Sequence, residues 1–197
     1  MTTPSSRDIP YEKILPDATV SGSVDLTTLI SLLENEWIAR YIKCCEHKPH
    51  VLEFTEHEFT YLYDQATVND KNAEDRLIAG YGVSTVQTEK RDANRIKTLL
   101  GSGFAFPDKG IFDKGHVIAH TMGGALAVNL FPQRPELNRG VSKAGKTYRR
   151  MEKYAAIHPG TFTFSRLIYS DKSWIPIALE YGLLMPDGRL WVEYFEN

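Results

Sequence analysis

Between residues 113 and 152 the chain gathers side chains that could cleave a phosphodiester. The stretch opens with Asp113-Lys114-Gly115-His116 and continues through Asn129-Leu130-Phe131-Pro132-Gln133 and Leu137-Asn138-Arg139-Gly140 to Tyr148-Arg149-Arg150-Met151-Glu152. Hydrolysis of a phosphodiester needs an activated water, a counter to the charge that grows on phosphorus, and help for the departing oxygen. A histidine titrating near neutrality can take the proton of the water. A hard divalent ion can neutralise the phosphate while needing few protein oxygens, because it keeps much of its own water. Arginine and lysine add fixed positive charge. His116, Asn138, Glu152 and the surrounding cations supply each of these parts.

The charge distribution agrees with that chemistry. The chain of 197 residues has a formal net charge of -2, which disfavours a generally sticky nucleic-acid binder. Residues 1–100 carry 11 Lys/Arg against 16 Asp/Glu, residues 101–160 carry 9 against 4, and residues 161–197 carry 3 against 5. The positive excess therefore falls on the stretch that would meet a polyanion. The two cysteines, Cys44 and Cys45, are adjacent, which excludes a disulfide framework. Residues 1–10 lack the basic and apolar regions of a signal peptide, and no apolar run reaches membrane-spanning length. The expectation is a soluble protein, cytoplasmic at synthesis, with export by a route that needs no cleaved signal as an alternative.

The elements that must position these residues are read from periodicity. Residues 1–24 are rich in Thr, Ser, Pro and Asp and read as an N-terminal arm, with residues 25–197 as one domain. Leu26, Leu29, Ile30, Leu33, Trp37 and Tyr41 share one helical face, so a helix capped by Asp25 is predicted to run to about residue 46. Alternation in 51–65 predicts strands. Residues 69–72 read as a turn opening a short helix through Ile78, broken by Gly80 and Gly82. Residues 84–100 read as a charged helix. The later part predicts a helix over 146–157, strands over 162–169 and 174–185, and a Pro186-Asp187-Gly188 hairpin into a last strand over 190–195. The class is α+β.

Two further patterns compete for attention. Cys44, Cys45, His47 and His50 invite a zinc reading, which adjacent ligands without a second cluster make poor. Gly140-Val141-Ser142-Lys143-Ala144-Gly145-Lys146-Thr147 fits the phosphate-loop pattern letter for letter. A phosphate loop must follow a buried strand, and the preceding Pro132-Gln133-Arg134-Pro135 cannot be a central one. The segment reads as a flexible basic loop near the substrate.

The four motifs together resemble those of the DNA/RNA non-specific endonucleases, the ββα-metal or His-Me finger nucleases. Asp113-Lys114-Gly115-His116 resembles their Asp-Arg-Gly-His motif, 129–133 their Asn-x-x-Pro-Gln segment, 137–140 their Leu-Asn-x-Gly segment, and Arg150-Met151-Glu152 an Arg-Leu-Glu pattern. The resemblance covers about a quarter of the chain and implies a ββα-metal motif at about 110–157, with the histidine on a hairpin strand and Asn138 opening the helix packed against it. It implies cleavage of DNA, RNA or both without base preference, using Mg²⁺ with Mn²⁺ as a substitute. It makes His116 the general base, Asn138 a metal ligand and Glu152 the holder of metal-bound water. Asn129 becomes a supporting amide near His116 and the phosphate, and Arg150 a phosphate contact. Lys114, Gln133, Arg139 and Arg149 complete the substrate-binding group, with Gln133 bracing its loop.

The chain departs from the family at two places: Lys114 stands where arginine is usual, and 141–146 reads as a loop inserted before Glu152. The family's upstream arginine has Arg91 and Arg95 as candidates. His120 is expected on the same strand face as His116, two pleats on, in a structural role, and Asp113 is expected to orient the turn. A chain of this kind suits an antagonistic toxin or effector, with an acidic immunity protein as partner.

Overall fold

The computed structural model describes residues 9–87, 111–126 and 128–197. The elements run α1 (Tyr11–Asp17), β1 (Thr19–Val20), β2 (Ser23–Val24), α2 (Leu26–Cys44), β3 (Val51–Glu56), β4 (Phe59–Asp64), β5 (Arg76–Val83), β6 (Asp113–His116), β7 (Leu130–Gln133), α3 (Pro135–Asn138), α4 (Lys143–Ile157), β8 (Phe162–Ile168), β9 (Ala178–Leu184) and β10 (Leu190–Glu196). Short 3₁₀ turns occupy Ala66–Val68 and His120–Met122. The fold is α+β with antiparallel sheets. Six strands form one sheet in the order β10-β9-β8-β5-β4-β3, and β6 and β7 pair separately as a hairpin.

Helix α2 forms because Leu29, Leu33, Trp37 and Tyr41 recur every four residues and are buried on one face, with Asp25 at the N-cap. That face lies on the middle of the large sheet, where the Trp37 ring sits 4.9 Å from Phe164 of β8 and 5.9 Å from Tyr81 of β5. Burying each such side chain stabilises by about 1.5–3 kcal/mol. Tyr11 of α1 is held on the same sheet. The Tyr11 hydroxyl donates to Glu180 at 2.5 Å, Glu180 pairs with Arg166 at 2.7 Å, and those two charges lie directly opposite on β9 and β8.

The short helix expected through Ile78 is instead strand β5, and Gly80 and Gly82 are interior to it. The strand is buried on both faces, so it reads as a continuous apolar run and hides the alternation that marks a half-exposed strand. Gly80 is needed there, since a Cβ would sit 2.9 Å from Val117 and 3.0 Å from Tyr61. That close approach brings the segment after β6 down onto the sheet. The charged helix expected over 84–100 lies outside the described residues from residue 88 onward, as do Arg91 and Arg95.

Two joints fix the small hairpin to the large sheet. Tyr148 of α4 is buried between Tyr181 of β9 and Phe195 of β10, at ring distances of 5.5 and 5.3 Å, and its hydroxyl donates to the His116 carbonyl at 3.3 Å. Asn197 donates to the carbonyls of Pro132 and Pro176 and accepts from the Arg134 N–H. Pro132 is tolerated in β7 because a strand of a two-stranded hairpin has an unpaired side. No helix among the described residues is long and apolar enough to cross a membrane.

Candidate active site

His116 ends β6, opposite Leu130 of β7. The register is tight because Gly115 lies over Gln133, where a Cβ would collide with the glutamine side chain. Gln133 is fully buried, so the expected substrate contact is replaced by a place beneath the strand. Beyond His116 the ladder stops, and Asn129 takes over its work. The Asn129 carbonyl accepts from Val117 N–H at 2.9 Å, its Oδ1 accepts from Ile118 N–H at 2.7 Å, and its Nδ2 donates to the carbonyls of Ile118 and Ala125. Asn129 is wholly buried and its amide is committed to the backbone of Ile118 and Ala125, so the amide expected to support the site braces the chain that follows His116.

The loop so held carries His120 back over the site. The expected strand continuation to His120 fails, because β6 ends at His116 and a 3₁₀ turn begins at His120. The Gln87 amide donates to the His120 carbonyl at 3.0 Å, and its nitrogen lies 3.1 Å from His120 Nδ1. His120 lines the same cleft as His116, together with Ala119, Thr121, Asn138, Arg139, Arg149 and Glu152. That cleft has a volume of about 320 Å³. It adjoins a recess that shares Thr121, Arg149 and Glu152 and adds Lys153. The structure thus brings together His116, Asn138, Arg139, Arg149 and Glu152 of the predicted set. His120 and Thr121 are lining residues that the motif spacing did not show.

Asn138 was expected to open the main helix. It closes the short helix α3 instead, and Ser142 is the N-cap of α4, its hydroxyl accepting from Gly145 N–H at 2.9 Å. The presumed inserted loop and flexible basic loop are therefore largely the first turn of α4. The phosphate-loop pattern follows helix α3, not a buried strand, and lacks the context its chemistry requires.

The orientation of Asn138 comes from Asp113. Asn138 Nδ2 donates to Asp113 Oδ2 at 3.1 Å, and Arg139 donates to both oxygens of the same carboxylate at 2.8 and 2.7 Å. An ionised carboxylate only accepts, so the Asn138 amide must turn its NH₂ toward Asp113 and its Oδ1 away. The Arg139 hydrogen bonds hold the Asp113 carboxyl below its usual range, with Asn138 adding to the effect. Arg139, expected to bind substrate, is thereby engaged through a bidentate fork on its own protein.

Glu152 lies one turn along α4 from Arg149, is 6% exposed, and accepts from Arg149 at 2.9 Å. Arg149 itself is exposed at the cleft. Arg150, expected as the phosphate contact, points elsewhere: its guanidinium lies 5.2 Å from the centre of the Trp191 ring. Lys114 is half-buried in β6, burial lowers its ammonium pKa, and it does not line the cleft. The cleft fits a hard divalent ion in kind, since it offers an amide oxygen of fixed orientation and a carboxylate beside a histidine.

No protein-family model matches the chain, and no curated protein matches it. Among solved structures, the chain is similar over 44% of its length to one described as the Sda1 nuclease with a bound zinc ion, with 21% identity and a TM-score of 0.37. The match spans 39% of that chain.

Proposed function

We propose that this chain is a metal-dependent endonuclease that hydrolyses phosphodiester bonds in DNA, RNA or both without base preference. The observation that carries the reading is that His116, Asn138 and Glu152, drawn from a strand and two helices, line one cleft with Arg139 and Arg149. A hydrolase for phosphodiesters needs a base, oxygen donors for a cation and fixed positive charge in one place, and the motif order in the sequence names the same residues.

In this mechanism His116 accepts the proton of an attacking water as the new P–O bond forms and the bond to the leaving oxygen breaks. Asn138 Oδ1 and Glu152 would hold Mg²⁺, or Mn²⁺ in its place, and the bound ion would supply positive charge toward the phosphate and leaving oxygen. Asp113 fixes which face of the Asn138 amide is offered. Arg149 counters phosphate charge from the rim and exchanges part of its pairing with Glu152 for the substrate. Such contacts address the backbone, which is why base preference is not expected. An antagonistic toxin or effector role, with an acidic immunity protein covering the cationic rim, follows from the same reading.

The test is cleavage of plasmid DNA and of total RNA, with Mg²⁺, with Mn²⁺ and with EDTA, by the wild type and by His116→Ala. Wild-type cleavage that EDTA abolishes and that falls about 10²–10⁴-fold in the variant is expected, the usual contribution of a positioned base. Wild type that is inactive on both substrates with either metal would sink the proposal.

A further inference from the structure

A second group of ligand-type side chains lies at the C-terminal end of α2, away from the cleft. Cys45 is the C-cap of that helix, and its extended backbone (ψ 136°) separates it from its neighbour. Cys44 is exposed, whereas Cys45 turns partly inward. Two residues on, the His47 side chain is completely buried, as is Asp64 at the end of β4. A His47 nitrogen, the Cys45 sulfur and an Asp64 oxygen lie within 4.8 Å of one another. Sequence spacing alone gave four crowded candidates. The fold discards Cys44 and supplies a carboxylate from a different element.

A polar network without any ion accounts for most of these groups. Asp64 accepts from the Tyr41 hydroxyl at 2.7 Å, from His50 N–H at 2.7 Å and from His47 Nε2 at 2.6 Å, and Arg76 Nε donates to the Tyr41 oxygen at 2.7 Å. That network satisfies the carboxylate and leaves His47 Nδ1 buried with no hydrogen-bond partner. A polar atom buried without a partner destabilises the fold. The deficit falls on an imidazole that already stands beside a thiol and a carboxylate.

We propose that Cys45, His47 and Asp64 form a binding site for a divalent metal ion, with water in the remaining position. One sulfur, one nitrogen and one oxygen donor select a borderline-soft ion, and Zn²⁺ fits that set better than Mg²⁺, which takes oxygen alone. The thiolate and carboxylate balance the charge of the ion. Arg76, with Nη2 3.7 Å from the Cys45 sulfur, stands as an outer partner of the cluster. The bound ion would clasp the end of α2 to the end of β4. This assignment is independent of the nuclease reading, because it uses none of the cleft residues.

Cobalt(II) titration of the full, metal-stripped chain tests it, since a thiolate ligand gives a charge-transfer band in the near ultraviolet that an oxygen-lined site cannot. One Co²⁺ per chain with that band is expected, displaced by Zn²⁺, retained in Cys44→Ser and in Asn138→Ala, and lost in Cys45→Ser. The loss of Zn²⁺ affinity in Cys45→Ser should exceed the roughly 10–100-fold that removal of an outer partner costs. Absence of the band in folded wild-type protein would overturn the proposal, and so would its loss in Cys44→Ser. The wild-type titration decides even where Cys45→Ser fails to fold.

Discussion

The cleft at the β6–β7 hairpin and the Cys45–Asp64 cluster at the end of α2 are built from similar residue types and differ in how they are enclosed. In the cleft, histidine and carboxylate are buried to within a tenth of their surface, yet they line an open space, and Arg149, the partner of Glu152, and Arg139, the partner of Asp113, stand exposed at its rim. At the end of α2 the cation is inside. Arg76 is 1% exposed, sandwiched against Tyr169 with 4.2 Å to the ring centre, and donates to the carbonyls of Asp171 and Ser173. An exposed arginine can exchange its partner for a phosphate at little desolvation cost. A buried one cannot, and its value is to stability. On the proposed reading, the same kinds of side chain serve reaction in one place and cohesion in the other.

The sharpest way to break this contrast is Arg76→Ala. It removes the donor to the Tyr41 oxygen and to the carbonyls of Asp171 and Ser173, so a loss of about 3–5 kcal/mol is expected in urea unfolding, at about 1–3 kcal/mol for each buried group left bare. Cleavage per folded molecule should be unchanged. A variant of normal stability would show that Arg76 belongs with the rim arginines after all.

Asn129→Ala probes the cleft from beneath. It leaves Ile118 N–H and the Ile118 and Ala125 carbonyls without the partner that now meets them. At about 1–3 kcal/mol for each group left buried and bare, offset by relaxation, a net loss of about 2–4 kcal/mol is expected. Here stability and cleavage should fall together, because the loop between His116 and Asn129 is what presents His120 and Thr121. Stable protein with full cleavage would contradict the role assigned to Asn129.

The two regions were not equally legible in the sequence. The motif strings 113–116 and 137–140 mark residues that do meet at the cleft, and the four-residue spacing of Leu29, Leu33, Trp37 and Tyr41 marks α2 directly. Strand β5 was hidden because burial on both faces erases alternation. The start of α4 was hidden because Gly145 reads as a break within its first turn; Ser142 caps it, and Gly145 fits where a Cβ would strike the Glu136 carbonyl. The placing of Asn138 at the end of α3 follows from that second start. Asp64 was invisible as a neighbour of Cys45 and His47 because a strand pairing, not chain proximity, brings it there.

Asp113 links the exposed and buried behaviours, being a partly buried carboxylate held by an exposed arginine. Its folded pKa is depressed, so its contribution to stability is fully present above the unfolded value of about 3.9 and is lost as pH falls through the lower folded value. The stability difference between wild type and Asp113→Asn should therefore be constant at neutral pH and shrink only in strong acid. At neutral pH the same variant no longer dictates the Asn138 amide orientation, and Mg²⁺ affinity measured through cleavage should fall about 10–100-fold, as for other outer partners of metal ligands. An unchanged Mg²⁺ dependence would separate Asp113 from the site.

The smallest expected effect makes the finest distinction. Arg149 and Arg150 are adjacent on α4, equally charged and both exposed, and the sequence pattern favoured Arg150 as the phosphate contact. Successive helix positions diverge by a large angle, so only one of the two can face the cleft. Arg149 pairs with Glu152 there, while Arg150 lies over Trp191 of β10. An exposed cation over the half-buried Trp191 indole contributes about 0.5–1 kcal/mol, so Arg150→Ala should lower stability by that amount and leave the Michaelis parameters for plasmid unchanged. Arg149→Ala should lower kcat/KM and flatten its decline with salt, since a phosphate contact is lost. The reverse pattern, cleavage sensitive to Arg150 and indifferent to Arg149, would mean that substrate approaches α4 from the β10 side, and the cleft lined by His116 would then not be where the backbone of the nucleic acid lies.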